Sequence, residues 1–253
     1  MVYVERGGEG EPVLLLLHGL GATGEVWRGL VEGLRERWPG EWLVPDLPGH
    51  GRSPDAPRYS FGSMAASVAE VVPAGRPVVV LGHSLGGVVA LTLAAGWFGV
   101  RVTAACGLGI KVRWSDEELA KSAELAAKPA RTFDTREAAA DRWLKVAGLH
   151  GLWAPDAPEV AAGLRQTPDG WRTALDPGAF AVGAPDLPGL LAAAKAANST
   201  VLLAAGEHDP MCPAEHLRAL LPEPVLLPSL GHNAHVENPA ALLPLLDRLR
   251  LAN

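Results

Sequence analysis

Six short, predominantly apolar stretches punctuate the chain: Val13–Leu17, residues 42–45, 78–81, 100–109, 200–205 and 224–227. Each is too short for a helix and rich in Leu or β-branched residues. Most end in a cluster of Gly, Pro, His or Asp, the signature of strands buried on both faces of a sheet. The stretches between them change period. Residues 27–38 (WRGLVEGLRERW) set Leu30, Val31 and Leu34 against charged positions at helical spacing, and 61–72, 85–94, 213–221 and 238–251 read as helices too. Asn238 before Pro239 marks the start of the last one. Strand and helix in alternation predict an α/β fold, a mostly parallel central sheet flanked by helices.

The alternation is interrupted once. No buried β-run appears between Lys111 and Leu187, where the pattern is amphipathic and helical. Ser115 with Glu118 has the spacing of a capping box before ELAKSAELAAK, and residues 135–146 and 158–166 also read as helices, separated by Pro129, Pro155, Pro168 and Pro177. The chain thus divides into a core, residues 1–110 and 188–253, and an inserted helical cap, residues 111–187. Four of the eight tryptophans fall in the insertion: Trp114, Trp143, Trp153 and Trp171. They either fill a small core or form an aromatic wall over an apolar ligand.

Composition narrows the function. The net charge is −6 and no basic stripe occurs, which argues against a nucleic-acid partner. The two cysteines, Cys106 and Cys212, are far apart and lack metal-binding spacing, so a reducing cytoplasm is expected. The first twelve residues have no basic segment followed by an apolar one, and Val13–Leu17 is too short to cross a bilayer, so no membrane partner is expected. Monomer and dimer fit equally well.

Chemistry gathers just beyond the strand ends, which in a parallel sheet lie along one edge. The run at 78–81 stops at Gly82-His83-Ser84-Leu85-Gly86, a G-x-S-x-G turn from strand to helix that lifts a serine hydroxyl clear of the sheet at a helix N-terminus. After 200–205 come Glu207 and Asp209, and after 224–227 come His232 and His235, giving the order serine, acid, histidine. A rival reading rests on Gly19, Gly21 and Gly24 after the Val13–Leu17 run, which match G-x-G-x-x-G with Asp46 further on, a nucleotide-binding spacing. The other reading of that loop is a set of backbone amides aimed at the Ser84 corner.

The segments HGLGATGEVW, DLPGHGRS, GHSLGG, GEHDP and GHNAHVENP, in that order, resemble the α/β-hydrolase fold family over nearly the whole chain. The resemblance implies Ser84 as nucleophile, His232 as general base, Asp209 as its orienting acid, and the backbone N–H groups of Leu20 and Leu85 as the oxyanion hole. It implies no cofactor and no metal. Pocket candidates are His18, Gly19, Trp114, Trp143 and Trp153. A serine at this corner disfavours haloalkane dehalogenases and epoxide hydrolases, which attack with aspartate. The reading is a serine hydrolase acting on a small, largely apolar carboxylic ester, a small molecule, with activity rising through the imidazole range near about pH 6.5. Alternatives on the same triad are a C–C bond hydrolase, a lactonase or a lyase, for which Arg113, Arg142, Arg165 and Arg172 could meet an acidic substrate. The non-enzymatic alternative is a ligand-binding receptor on a hydrolase scaffold.

Overall fold

A computed structural model describes residues 1–34 and 37–251. The strands in chain order are β1 (Val4–Gly7), β2 (Val13–Leu17), β3 (Trp42–Pro45), β4 (Pro77–His83), β5 (Arg101–Leu108), β6 (Leu164–Thr167), β7 (Gly170–Thr173), β8 (Thr200–Gly206) and β9 (Val225–Leu227). Seven form one sheet in the order β1-β3-β2-β4-β5-β8-β9, parallel throughout except β1, which runs antiparallel to β3. β1 escapes a sequence reading because an edge strand needs no buried run; Glu5 and Arg6 are exposed and Val4 and Gly7 only half-buried.

The helices are α1 (Arg28–Leu34), α2 (Phe61–Ala69), α3 (Leu85–Ala94), α4 (Asp116–Ala126), α5 (Arg136–Val146), α6 (Leu187–Ala196), α7 (Ala214–Arg218), α8 (Ala234–Glu237) and α9 (Leu243–Leu251). The first helix expected over 27–38 is a 3-10 turn, Gly24–Trp27, followed by α1; Arg35 and Glu36 lie outside the described residues. The last helix likewise starts as a 3-10 turn at Pro239, without a side-chain cap from Asn238. No helix among the described residues is long and apolar enough to cross a membrane.

Strand side chains alternate between two apolar layers. Leu14, Leu16, Val79, Leu81 and Cys106 pack on one side with Leu30, Leu34, Leu246 and Leu249, whereas Val13, Leu15, Leu17, Val78 and Val80 pack on the other with Met64, Val68, Val89 and Leu93. Val78–Leu81 are completely buried, and at about 1.5–3 kcal/mol for each large side chain they make β4 a strong anchor. α3, which follows it, is buried along its whole length.

Register then lines up the carboxyl ends. Leu17 pairs with Gly82, His83 with Leu108, Leu108 with Ala204 and Gly206 with Leu227, so the loops after β2, β4, β5, β8 and β9 open on one edge.

The residues between β5 and α6 add no strand to this sheet. α4 starts with the expected capping box between Ser115 and Glu118, and α5 with a Thr135 cap. The helix expected over 158–166 is instead a 3-10 turn, Pro158–Gly163, followed by β6, which pairs with β7. Pro168-Asp169-Gly170 makes the turn of this hairpin, with Gly170 at φ 125°, and that turn signal overrides helical spacing.

Candidate active site

Ser84 occupies the corner between β4 and α3 with φ 50° and ψ −115°, a conformation few L residues adopt and one worth about 1–3 kcal/mol of strain. The turn closes because its neighbours lack side chains: a Cβ on Gly82 would overlap the Gly86 carbonyl, and one on Gly86 would overlap the carbonyls of Leu17 and His18. A hydrogen bond from Ser84 N–H to Leu108 O, 2.8 Å, fixes the corner to β5.

The loop after β8 carries Asp209, whose carboxylate is buried. Its Oδ1 accepts from the N–H groups of Met211 (2.8 Å) and Cys212 (3.2 Å), and its Oδ2 lies 2.9 Å from His232 Nδ1. Two donors fix the orientation of the carboxylate; the third bond requires the His232 proton on Nδ1 and leaves Nε2 free to accept one. Gly109, at φ 62°, stands at the meeting point: a Cβ there would lie 3.2 Å from Asp209 Oδ2 and 3.4 Å from His232 Nδ1.

His83, which carries no signal of its own within the G-x-S-x-G turn, supports the loop of His232. Its Nε2–H donates to the His232 carbonyl at 2.9 Å, and its ring packs 4.7 Å from that of His232 and 4.2 Å from that of His235. Burial, followed by repulsion from His235 and His232, holds its pKa well below the ordinary histidine value, so the imidazole is neutral. The loop of His232 is tied on its other side by Asn233 Nδ2–H to Gly148 O, 2.9 Å.

Ser84 and His232 line one cavity of about 200 Å³ together with Gly19, Leu20, Leu85, Trp114 and Met211. No direct Ser84–His232 hydrogen bond forms among the described residues, although both side chains line the same cavity. The 18–20 loop crosses close above the serine, a Cβ on Gly19 lying 3.3 Å from Ser84 Cβ. Leu85 opens α3, so its N–H has no partner within the helix.

Other candidates fall elsewhere. His18 does not line the cavity: it is fully buried, its Nε2 accepts from Leu47 N–H at 2.8 Å and its Nδ1–H donates to Gly19 O, so it braces the loop. Trp143 is fully buried against Gly163, where a Cβ would overlap its ring, and Trp153 stacks on it with centroids 6.3 Å apart. Trp143 is a core residue and Trp153 a half-buried one packed against the same core, and neither lines the cavity. Glu207 accepts from Ser229 N–H at the surface, and His235 is buried with neither ring nitrogen partnered among the described residues. None of Arg113, Arg142, Arg165 and Arg172 lines the cavity.

The carboxylate of Asp46 is committed internally, to Gly24 N–H (2.7 Å), Arg52 N–H (2.9 Å) and Arg52 Nε–H (2.8 Å). Burial opposes its charge, but the Arg52 hydrogen bond leads the forces that hold its pKa below the usual carboxylate range. Arg52 also reaches Glu25 Oε1 at 3.0 Å and lies over the Tyr3 ring. This is a brace for the 18–24 and 46–53 loops, with no oxygen left for a ribose. No cluster of three or more His, Cys, Asp or Glu suited to a metal ion occurs among the described residues.

Over 95 residues the chain is 44% identical to the magnesium-chelatase 30 kDa subunit of Rhodobacter capsulatus, a match covering 36% of this chain and 33% of that protein. Over 93 residues it is 41% identical to a pimeloyl-[acyl-carrier protein] methyl ester esterase of Methylococcus capsulatus (37% and 35%), and over 97 residues 38% identical to the lipase LipV of Mycobacterium tuberculosis (37% and 36%). The matched segment spans about a third of the length of these relatives. Solved structures of an E-2-(acetamidomethylene)succinate hydrolase and of the thioesterase domain from the curacin biosynthetic pathway each superpose with TM-score 0.75 at 21% identity. They cover 98% and 97% of this chain and 94% of each of theirs. The profile of the alpha/beta hydrolase family matches residues 14–245, and the chain belongs to that family.

Proposed function

We propose that this protein is a serine hydrolase that cleaves small, largely apolar carboxylic esters through an acyl-enzyme. The observation that carries the proposal is the meeting of a strained, sharply turned serine with an acid-oriented imidazole at one small cavity. Ser84 Oγ attacks the ester carbonyl as His232 Nε2 takes its proton; Asp209 holds the tautomer and stabilises the imidazolium. The N–H groups of Leu20 and Leu85 receive the oxyanion, a contribution on the order of 3 kcal/mol per donor. His232 then delivers its proton to the leaving alcohol, and water activated by the same imidazole releases the acid. Residues 111–187 serve as the cap, with Trp114, Val146 and Val182 closing the cavity above the serine. Relatives named as a methyl ester esterase and a lipase support ester chemistry.

The test is turnover of short-chain p-nitrophenyl esters by the wild type and by Ser84→Ala and His232→Ala. Loss of several orders of magnitude in both variants is expected, and near-wild-type turnover in either would discard the proposal.

A further inference from the structure

The cavity holding Ser84 is lined mainly by apolar and small residues, and Lys111 is the one Lys, Arg, Asp or Glu among the described residues that line it. Burying a lysine stem beside an apolar pocket brings its ammonium close to whatever fills that pocket. Lys111 follows β5 by three residues, on the loop that also carries Gly109.

Its ammonium is held in place from two sides. It lies 4.8 Å from the centre of the Trp114 ring, and it is paired with Glu118 Oε1. Glu118 is itself fixed, because its other oxygen accepts Ser115 N–H at 3.0 Å in the capping box of α4. An ammonium has three donor hydrogens, so the single bond to Glu118 leaves donors for a ligand. Trp114, which lines the same cavity, has an indole N–H that is buried and without a partner among the described residues. Lys111 and Trp114 thus bring a cation with spare donors and an unpartnered N–H to the lining of an otherwise apolar cavity, a combination that favours a ligand carrying an anionic acceptor such as a carboxylate.

We infer that Lys111, with Trp114, forms a carboxylate subsite, so that the preferred substrates are esters bearing a free carboxylate at the end remote from the scissile bond. This rests on the serine-hydrolase reading for its kinetic consequence, though not for binding.

The test compares monomethyl adipate with methyl hexanoate, which match in acyl length and differ in the terminal carboxylate. In a pH-stat at low ionic strength, the ratio of their kcat/KM values is expected to fall about tenfold in Lys111→Met, to fall less in Trp114→Phe, and to stay within about threefold in Lys111→Arg. A second arm measures monomethyl adipate binding by calorimetry to Ser84→Ala and to the Ser84→Ala/Lys111→Met double variant, with about tenfold weaker binding expected in the latter. An unchanged ratio and unchanged binding on loss of the Lys111 charge overturn the subsite. If neither ester is turned over while binding still depends on Lys111, the catalytic proposal fails and the subsite stands.

Discussion

Replacing Asp209 by asparagine separates orientation from packing at this site, because the two side chains are nearly isosteric. The Asp209 Oδ1 position accepts two backbone N–H groups, from Met211 and Cys212. In the Asp209→Asn variant the amide oxygen must remain there, since an NH₂ group would face two donors. The NH₂ then takes the Oδ2 position, 2.9 Å from His232 Nδ1. Two donors cannot share that contact, so the imidazole moves its proton to Nε2 and presents a donor where the reaction needs an acceptor. The same exchange in serine-protease triads lowers kcat by about 10⁴, roughly 5.5 kcal/mol, and a loss of that order is expected here. Initial rates on p-nitrophenyl butyrate between pH 6 and 9 measure it, alongside a thermal melt. The melt is expected to stay within a few degrees of wild type, because both backbone N–H groups keep their acceptor. Asp209→Ala, which leaves them unpaired, is expected to be destabilised by about 1–3 kcal/mol for each. An Asp209→Asn variant within tenfold of wild-type kcat/KM at neutral pH refutes the reasoning.

Acid is expected to destabilise the fold early. His50 and His235 are fully buried, and burial, followed by His18 for His50 and by His232 for His235, lowers each pKa to about 3. The folded state therefore refuses protons that the unfolded chain binds below about 6.5, so stability is full above that pH and is lost between about 6.5 and 3. Between pH 6.5 and 5.5, where such histidines in the unfolded chain go from about half to about nine-tenths protonated, two groups cost on the order of 2 kcal/mol, read as a Tm falling by about 4–8 °C; a flat Tm over that range contradicts it. Gly82→Ala, whose Cβ would overlap the Gly86 carbonyl, is expected to abolish turnover of short-chain esters, and retained activity would show that the corner tolerates a side chain. Arg52→Ala removes the guanidinium from the buried Asp46 carboxylate, which keeps the backbone N–H groups of Gly24 and of residue 52, and is expected to lower stability by about 1–3 kcal/mol in urea titrations. Trp143→Ala should lose about 3–5 kcal/mol of stability without changing the preference among acyl chain lengths, since Trp143 lies outside the cavity.

What can be read from the sequence is what short-range pattern encodes. Runs such as Val78–Leu81, with helical stretches between them, fit strands buried on both faces of a parallel sheet, and glycines at 82 and 86 mark a turn in which any side chain would collide. That logic places Ser84, Asp209 and His232 at one edge without coordinates. The pattern is silent where partners are distant in the chain. Trp143 and Trp114 look alike as tryptophans in an amphipathic segment, yet one fills a gap beside Gly163 and the other lines the serine's cavity. His18 sits next to a pocket glycine in sequence, but its ring turns inward to Leu47 N–H. Lys111 draws no notice in the sequence because a lone charge after a strand carries no pattern; that it lines the cavity of Ser84 and His232 emerges only from the fold. The β6–β7 hairpin, by contrast, is announced by Pro168-Asp169-Gly170 and hidden only by the apparent helical spacing before it.

The central claim concerns the reactivity of one hydroxyl, and a fluorophosphonate probe reads it most directly. Intact-protein mass spectrometry should show a single adduct that peptide mapping places on Ser84. The adduct is expected to vanish in Ser84→Ala, and to form at least about a hundredfold more slowly in His232→Ala. Labelling at another residue, or equally fast labelling without His232, would contradict the account.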